Sequence, residues 1–235
     1  VPDQQRIVLE DVGVELDGHR ILEGVTARLD QRRIGVIGAN GSGKSTFARL
    51  LNGLVPATSG SLTVHGIDAA RDPRALRETV GFVFTNPDAQ ILMPTVAEDV
   101  ALSLRASGLS KQAIAARVSE ELERYGLAGR EDQPAHSLSG GQKQLLALVA
   151  VLIRRPRLVV ADEPTTLLDL GNARRMADLL LAPPERGGID AQTLVVTHDL
   201  ELAARCDVVL RFAAGRLVEA GDPEPVIARY RAQAR

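Results

Sequence analysis

The segment Ile34-Gly35-Val36-Ile37-Gly38-Ala39-Asn40-Gly41-Ser42-Gly43-Lys44-Ser45-Thr46 constrains this chain more than any other. An apolar run (Ile34, Val36, Ile37) leads into Gly38-x-x-x-x-Gly43-Lys44-Ser45, and Thr46, Phe47 and an apolar helical pattern follow. Strand, glycine-rich loop and helix in that order are the setting in which a phosphate-binding P-loop pattern carries meaning. Glycines at 38, 41 and 43 let the backbone turn so that successive N–H groups point inward. The helix start beyond them adds a partial positive charge. Lys44 is placed to reach β- and γ-phosphates, and the Ser45 hydroxyl to ligate Mg²⁺. The competing interpretation, a glycine-rich turn with a surface lysine, does not account for both flanking elements.

Upstream, short apolar runs (Ile7-Val8-Leu9, Val12 to Leu16, Val25 to Leu29) surround Asp17-Gly18, which predicts antiparallel strands. After the P-loop helix, Pro56 to Gly60 reads as a turn, and Ser61 to His65 with Gly66 as another strand of that small sheet. Asp72-Pro73 caps and opens a short helix, and Val80 to Phe84 follows as a buried strand. From Asn86 to Arg155 the period becomes helical. Thr95 and Glu98 are spaced as a capping box for a helix to about Ser107. Ser110 caps a second helix that Gly126 ends, and a third opens at Leu138-Ser139-Gly140-Gly141-Gln142. Strand patterns return at Leu158 to Ala161, Thr193 to Thr197 and Val208 to Phe212, an alternation that predicts a parallel sheet with helical crossovers. Asp222-Pro223 starts a last helix towards Tyr230, whose basic residues read as a solvated face. The expected organisation is one domain over 1–235. An α/β core with a β subdomain occupies 1–85 and 156–235, and a helical subdomain is inserted at 86–155.

Three further pieces of chemistry fall on this frame. Leu158-Val159-Val160-Ala161-Asp162-Glu163 puts two carboxylates directly after a buried strand. In a P-loop protein the first holds Mg²⁺, usually through water, and the second orients or deprotonates the attacking water. Ser139-Gly140-Gly141-Gln142 opens a helix whose first N–H groups can bind an anion, with glycines that let phosphate approach. Ser-Gly-Gly alone is most often a turn; its place between the P-loop and the Asp-Glu pair gives it weight. His198 follows the apolar run Leu194 to Val196 and Thr197, where an imidazole can touch a γ-phosphate and the catalytic water.

Composition bounds where such a site can work. At 235 residues, 45% apolar and 25% charged, the chain can bury a substantial core. A net charge of −2 argues against a nucleic-acid-binding surface spread over the protein. Cys206 is the single cysteine, so no internal disulfide is expected, which suits the cytosol. The longest apolar run, Leu145 to Ile153, falls far short of the roughly 20 residues that span a bilayer. No apolar N-terminal signal segment is read, so any work at a membrane is expected from outside the lipid.

The ordered set of motifs resembles the ATP-binding cassette family. Gly38 to Thr46 matches its Walker A, Leu138 to Gln142 its signature, Val159 to Glu163 its Walker B, Thr165 to Asp169 its D-loop and His198 its switch histidine. The match runs from about Ile7 to Gly221. It implies a P-loop NTPase (RecA-like) α/β fold with an antiparallel β subdomain and an inserted helical subdomain. Within the family, Val83-Phe84-x-Asn86-Pro87-Asp88-Ala89-Gln90 and Thr95-Val96-Ala97-Glu98-Asp99-Val100 resemble the ATPases of energy-coupling factor vitamin and metal importers. The chain as a whole is most similar to the biotin-importing members of that group. The resemblance implies ATP and Mg²⁺ as cofactors and a head-to-tail sandwich of two ATPase subunits, identical or paralogous. The P-loop residues Gly38, Ala39, Asn40, Gly41, Ser42, Gly43, Lys44, Ser45 and Thr46 of one subunit would share a nucleotide with Ser139, Gly140, Gly141 and Gln142 of the other. Glu163 and His198 are the implied catalytic residues, and Ser45 and Asp162 the implied metal ligands. Implied partners are a transmembrane coupling subunit docked near Asn86 to Thr95 and a substrate-binding membrane subunit, with no nucleic acid. That places the chain on the cytoplasmic face of the cell membrane.

Two positions depart from the family pattern. Thr85 stands where a glutamine usually touches Mg²⁺, and it is shorter by roughly two bonds. A direct metal contact is therefore in doubt, with a bridging water, Asn86 or Gln90 as possible substitutes, and slow or complex-dependent basal hydrolysis is expected. Leu16 stands where an aromatic usually stacks on adenine, so looser base selectivity is expected; His19 is read as capping the adjacent turn. Alternative functions are the ATPase of a cobalt or nickel importer and a weakly hydrolysing regulatory ATP-binding module. A ribosome- or chromosome-acting cassette is disfavoured because there is neither a second cassette nor a long coiled-coil insertion. A P-loop GTPase is disfavoured because no Asn-Lys-x-Asp occurs.

Overall fold

A computed structural model describes residues 7–233. Residues 1–6 and 234–235 lie outside that description, and with them the start of the stretch read for a signal segment and Arg235 of the C-terminal basic residues. β1 (Ile7–Leu16) and β2 (His19–Leu29) form an antiparallel hairpin closed by the two residues Asp17-Gly18. β3 (Arg33–Gly38) runs into the glycine-rich loop and α1 (Lys44–Leu51). β4 (Ser59–Val64) and the two-residue β5 (Ile67–Asp68) join the hairpin in a sheet ordered β2-β1-β4-β5.

α2 (Pro73–Thr79) starts as read, with Asp72 accepting a hydrogen bond from the N–H of Ala75, and β6 (Val80–Val83) follows. The chain then turns helical through α3 (Val96–Leu102), α4 (Lys111–Arg124) and α5 (Gly140–Leu152). The expected capping box of Thr95 with Glu98 is present, and Ser139 with Gln142 forms a second, unexpected one. The first of these helices is shorter than the expected end near Ser107. Past Leu102 the N–H groups of Leu104 and Arg105 bond three residues back, and Ser107 Oγ donates to the Leu104 carbonyl. A serine that competes for backbone acceptors favours such tightened turns over an α-helix. Val96, Val100 and Leu104 are nonetheless all buried, so the apolar spacing outlives the helix that it suggests.

The core resumes with β7 (Leu158–Asp162), α6 (Leu170–Leu181), β8 (Gln192–Val196), α7 (Leu200–Ala203), β9 (Val208–Ala213), β10 (Arg216–Gly221) and α8 (Pro223–Gln233). The larger sheet has the order β10-β9-β3-β8-β7-β6, parallel except for β10. β7 and β8 are buried along their whole length, as strands covered on both faces must be. Alternate residues of β7 serve different cores. Leu158 and Val160 pack with α1 and the antiparallel sheet, whereas Val159 and Ala161 pack with the helical stretch. Among the described residues no helix is long and apolar enough to cross a membrane.

Candidate functional site

The parallel sheet places the chemistry by register. Val36 of β3 and Asp162 of β7 both lie opposite Val196 of β8, so β7 and β8 end level and β3 runs two residues further. The P-loop leaves the end of β3, Asp162 and Glu163 close β7, and Thr197 and His198 follow β8. Ligands of open α/β sheets bind at such carboxyl ends.

The P-loop is anchored from below. A Cβ at Gly38 (φ 151°) would lie 2.3 Å from the Phe212 carbonyl oxygen, so no larger residue fits that crossing. Phe47 of α1 packs on Phe212 with ring centroids 4.8 Å apart. The N–H of Gly215, in the β9–β10 turn, donates to the Ser42 carbonyl at 3.1 Å. Lys44 Nζ donates to the carbonyl oxygens of Gly38 (2.8 Å) and Ala39 (2.9 Å). Burial pulls the Lys44 ammonium below the usual lysine range, opposed by the charges of Glu163 and Asp162. Gly43 begins α1 without a side-chain cap, which leaves the first-turn N–H groups to an anion. Ser42 Oγ is buried and has no hydrogen-bond partner, a polar atom that a phosphate oxygen would satisfy. The cradle therefore fits a nucleotide phosphate.

Ser45 Oγ donates to Asp162 Oδ1 at 3.1 Å. Burial pushes the Asp162 carboxyl upward, and the Ser45 hydroxyl holds it down. One hydroxyl and one carboxylate beside a phosphate site are the hard-oxygen set that magnesium uses with substrate phosphates and water. Among the described residues no group of three or more His, Cys, Asp or Glu could hold a metal by itself.

Thr85 lies beside this pair, but its Oγ1 donates to the main-chain carbonyl of Asp162 at 2.8 Å. The two side chains considered as substitutes are engaged elsewhere. Asn86 Oδ1 accepts from the N–H of Asp88, while Gln90 accepts from the Phe84 N–H and donates to the Ala147 carbonyl. Gln144 Nε2 donates to the Phe84 carbonyl and Lys143 pairs with Asp88 at 2.7 Å. Residues 84–90 are thus tied to α5 at three points.

Glu163 sits at φ 52°, a left-handed conformation costing a non-glycine residue of order 1 kcal/mol or more. Its N–H donates to the Val196 carbonyl at 2.9 Å, which locks it to β8. His198 Nδ1 lies 2.7 Å from Glu163 Oε2. Against an ionised carboxylate Nδ1 must carry the hydrogen, which leaves Nε2 as the outward-facing nitrogen. The imidazole is 64% exposed and the carboxylate 19%.

Among the described residues Ser139, Gly140, Gly141 and Gln142 share no hydrogen bond with the P-loop, Asp162, Glu163 or His198. Ser139 and Gln142 cap each other, and a Cβ on Gly141 would strike Asn172 of α6 at 2.4 Å. Asn172 in turn binds Asp169, the cap of α6. Neither α6 nor Asn172 figured in the sequence reading. The signal was Asp169-x-x-Asn172 followed by Met176, Ala177, Leu180 and Leu181 at helical spacing.

Comparison with known proteins agrees with this geometry. The model of the ABC transporter family matches residues 23–166. The biotin transport ATP-binding protein BioM of Rhizobium etli is 44% identical over 225 residues, covering 96% of this chain and 97% of the relative. The structure of cbiO1 from Clostridium perfringens, described as part of the ABC transporter complex cbiONQ, superposes with a TM-score of 0.82 at 31% identity, covering 96% of this chain and 92% of that one. The ATP-binding cassette MJ0796, described as dimeric in a post-hydrolysis state with ADP and phosphate, superposes with a TM-score of 0.80 at 25% identity, covering 93% and 99%. The chain belongs to the ABC transporter family, as an ATP-binding subunit whose family activity is ATP hydrolysis.

Proposed function

We propose that this chain is the ATP-hydrolysing motor of an energy-coupling factor importer, working as one half of a two-nucleotide sandwich. The observation that carries this reading is the convergence of Lys44, the Ser45–Asp162 pair and the Glu163–His198 pair at the carboxyl ends of three neighbouring strands. Gly38, Ala39, Asn40, Gly41, Ser42, Gly43 and Thr46 complete the phosphate cradle with Lys44. Ser45 and Asp162 would hold Mg²⁺, which when bound neutralises charge on the β- and γ-phosphate oxygens. Thr85 acts on this pair only through the Asp162 main chain. Glu163 takes a proton from water as the water oxygen attacks the γ-phosphorus and the bond to the β-phosphate oxygen breaks, releasing ADP and phosphate. His198 presents Nε2 towards the γ-phosphate. Ser139 to Gln142, not hydrogen-bonded to their own P-loop and at an exposed helix start, serve the nucleotide of a second subunit, identical or paralogous.

The helical segment 86–155 is the part that meets the membrane partner. A cleft of about 290 Å³ lies between α2, β6, α3 and α5, lined by Arg77, Gly81, Gln90, Leu92, Asp99 and Arg154 among others. Asp99 Oδ1 fixes its rim by accepting from the N–H groups of Leu92 and Met93. Leu92 is 71% exposed there, an apolar contact for a transmembrane coupling subunit that would hold the chain on the cytoplasmic face. Similarity to BioM along nearly the whole chain favours biotin as cargo, delivered through a substrate-binding membrane subunit; import of cobalt or nickel is the alternative. Coexpression with the candidate membrane subunits, affinity capture and assay of labelled biotin uptake test the assignment. ATP-dependent biotin uptake by the captured complex is expected; failure to retain either membrane subunit, or uptake of metal alone, overturns it. A regulatory module that hydrolyses little is favoured only by Thr85 and Leu16, and a turnover assay of the complex separates the two.

Leu16, 40% exposed at the end of β1, offers adenine an apolar surface without a ring. GTP is therefore expected to compete with ATP within about tenfold, and Leu16→Tyr to tighten ATP two- to tenfold through restored stacking. Competition binding with a fluorescent nucleotide reads both. A parent chain that already rejects GTP by a hundredfold or more rules out this role for Leu16.

A further inference from the structure

We propose that Thr166 is a positioning residue for the carboxylate that handles the attacking water, an inference that rests on Glu163 being that group. Thr166 Oγ1 donates to Glu163 Oε2 at 3.0 Å. The same oxygen faces His198 Nδ1 at 2.7 Å and the His198 main-chain N–H at 3.4 Å. Three donors thus converge on Oε2 and none of them reaches Oε1, so the carboxylate is held with one oxygen turned outward to accept a proton.

Two features separate Thr166 from His198. The imidazole is shared, because Nε2 is the nitrogen that meets phosphate, whereas Thr166 Oγ1 makes no other hydrogen bond among the described residues. The threonine also comes from Glu163's own turn, closed by Thr166 N–H to the Glu163 carbonyl at 3.3 Å and Leu168 N–H to the Thr165 carbonyl at 3.1 Å. Its donor is therefore set by the same turn that sets the carboxylate, whereas the imidazole follows the neighbouring strand β8. A glutamate has three side-chain torsions to fix, and a local donor fixes them without any contact to substrate. Thr166 is exposed, so its replacement leaves the core intact.

Steady-state hydrolysis by the full chain, assembled with its membrane partners, tests this with Thr166→Val, Thr166→Ser and Glu163→Gln. A hydrogen bond to an ionised group is large enough that Thr166→Val is expected to lower kcat about tenfold or more. KM for ATP should stay within twofold, and Thr166→Ser should restore at least half of the parental kcat. Parental kcat in Thr166→Val beside an inactive Glu163→Gln overturns the positioning role alone. A Thr166→Ser as slow as Thr166→Val, or a change confined to KM, also overturns it. Parental turnover in Glu163→Gln overturns the assignment of Glu163 and the role of Thr166 with it.

Discussion

Glu163→Gln is expected to cut ATP turnover by roughly 10²- to 10⁴-fold, the usual contribution of a positioned general base. The amide keeps the shape of the side chain and can still accept at one oxygen, but it cannot take a proton from water. Its backbone should not move. The left-handed conformation at φ 52° and the N–H bond to the Val196 carbonyl depend on the main chain, and the residue is not in the core. ATP binding should therefore survive while its consumption stops. If the signature residues of one subunit complete the nucleotide site of another, this variant accumulates as an ATP-bound dimer. Phosphate release measures the first effect and light scattering on a sizing column with ATP and magnesium measures the second. A variant that hydrolyses at the parental rate removes Glu163 from the reaction. One that is inactive but stays a single copy, with membrane partners supplied, removes the sandwich.

Lys44→Ala carries the other large effect, on binding. The ammonium now donates to the carbonyl oxygens of Gly38 and Ala39 from a buried position that already disfavours its charge. Phosphate oxygens offer a stronger, charge-assisted acceptor at the same loop. Losing that interaction should weaken ATP about a hundredfold, the upper range for hydrogen bonds to charged groups. The nucleotide-free chain should change much less. Deleting the lysine removes two hydrogen bonds but also the cost of burying an ammonium, so a Tm shift within about 4 °C is expected. The stabilisation that ATP gives the parent by mass action should vanish in the variant. Calorimetric titration and thermal melts with and without ATP read both quantities. A variant that melts ten degrees early without nucleotide would show that Lys44 is chiefly a structural clamp.

What could be read from residue order was what depends on neighbours in sequence. β3, the glycine-rich loop and α1 form one continuous pattern, and Thr95 with Glu98 or Ser139 with Gln142 reveal a helix start within four residues. β10 escaped because its half-exposed alternation follows a short turn and resembles loop. The premature end of α3 escaped because Leu104 still falls on the buried face after the backbone has changed its bonding. At the site, the residue types were legible and their partners were not. Glu163 and His198 meet only because β7 and β8 are adjacent and in register, whereas Thr166 reaches Glu163 within a single turn of chain. Asn86 caps the turn that its own Asn86-Pro87 pair begins, but nothing local to Gln90 announces that its side chain reaches Ala147 on α5.

The three ties between residues 84–90 and α5 have a mechanical consequence. A loop held by one bond flexes when pushed; one fastened by an ion pair and two hydrogen bonds along a helical turn transmits the push as a rod does. Force arriving at Leu92 from a membrane partner would swing α5 bodily, and Ser139 rides on the tip of that rod. In the proposed importer, the lever that brings a signature serine towards a neighbour's nucleotide would thus be the same piece of protein that feels the transporter move.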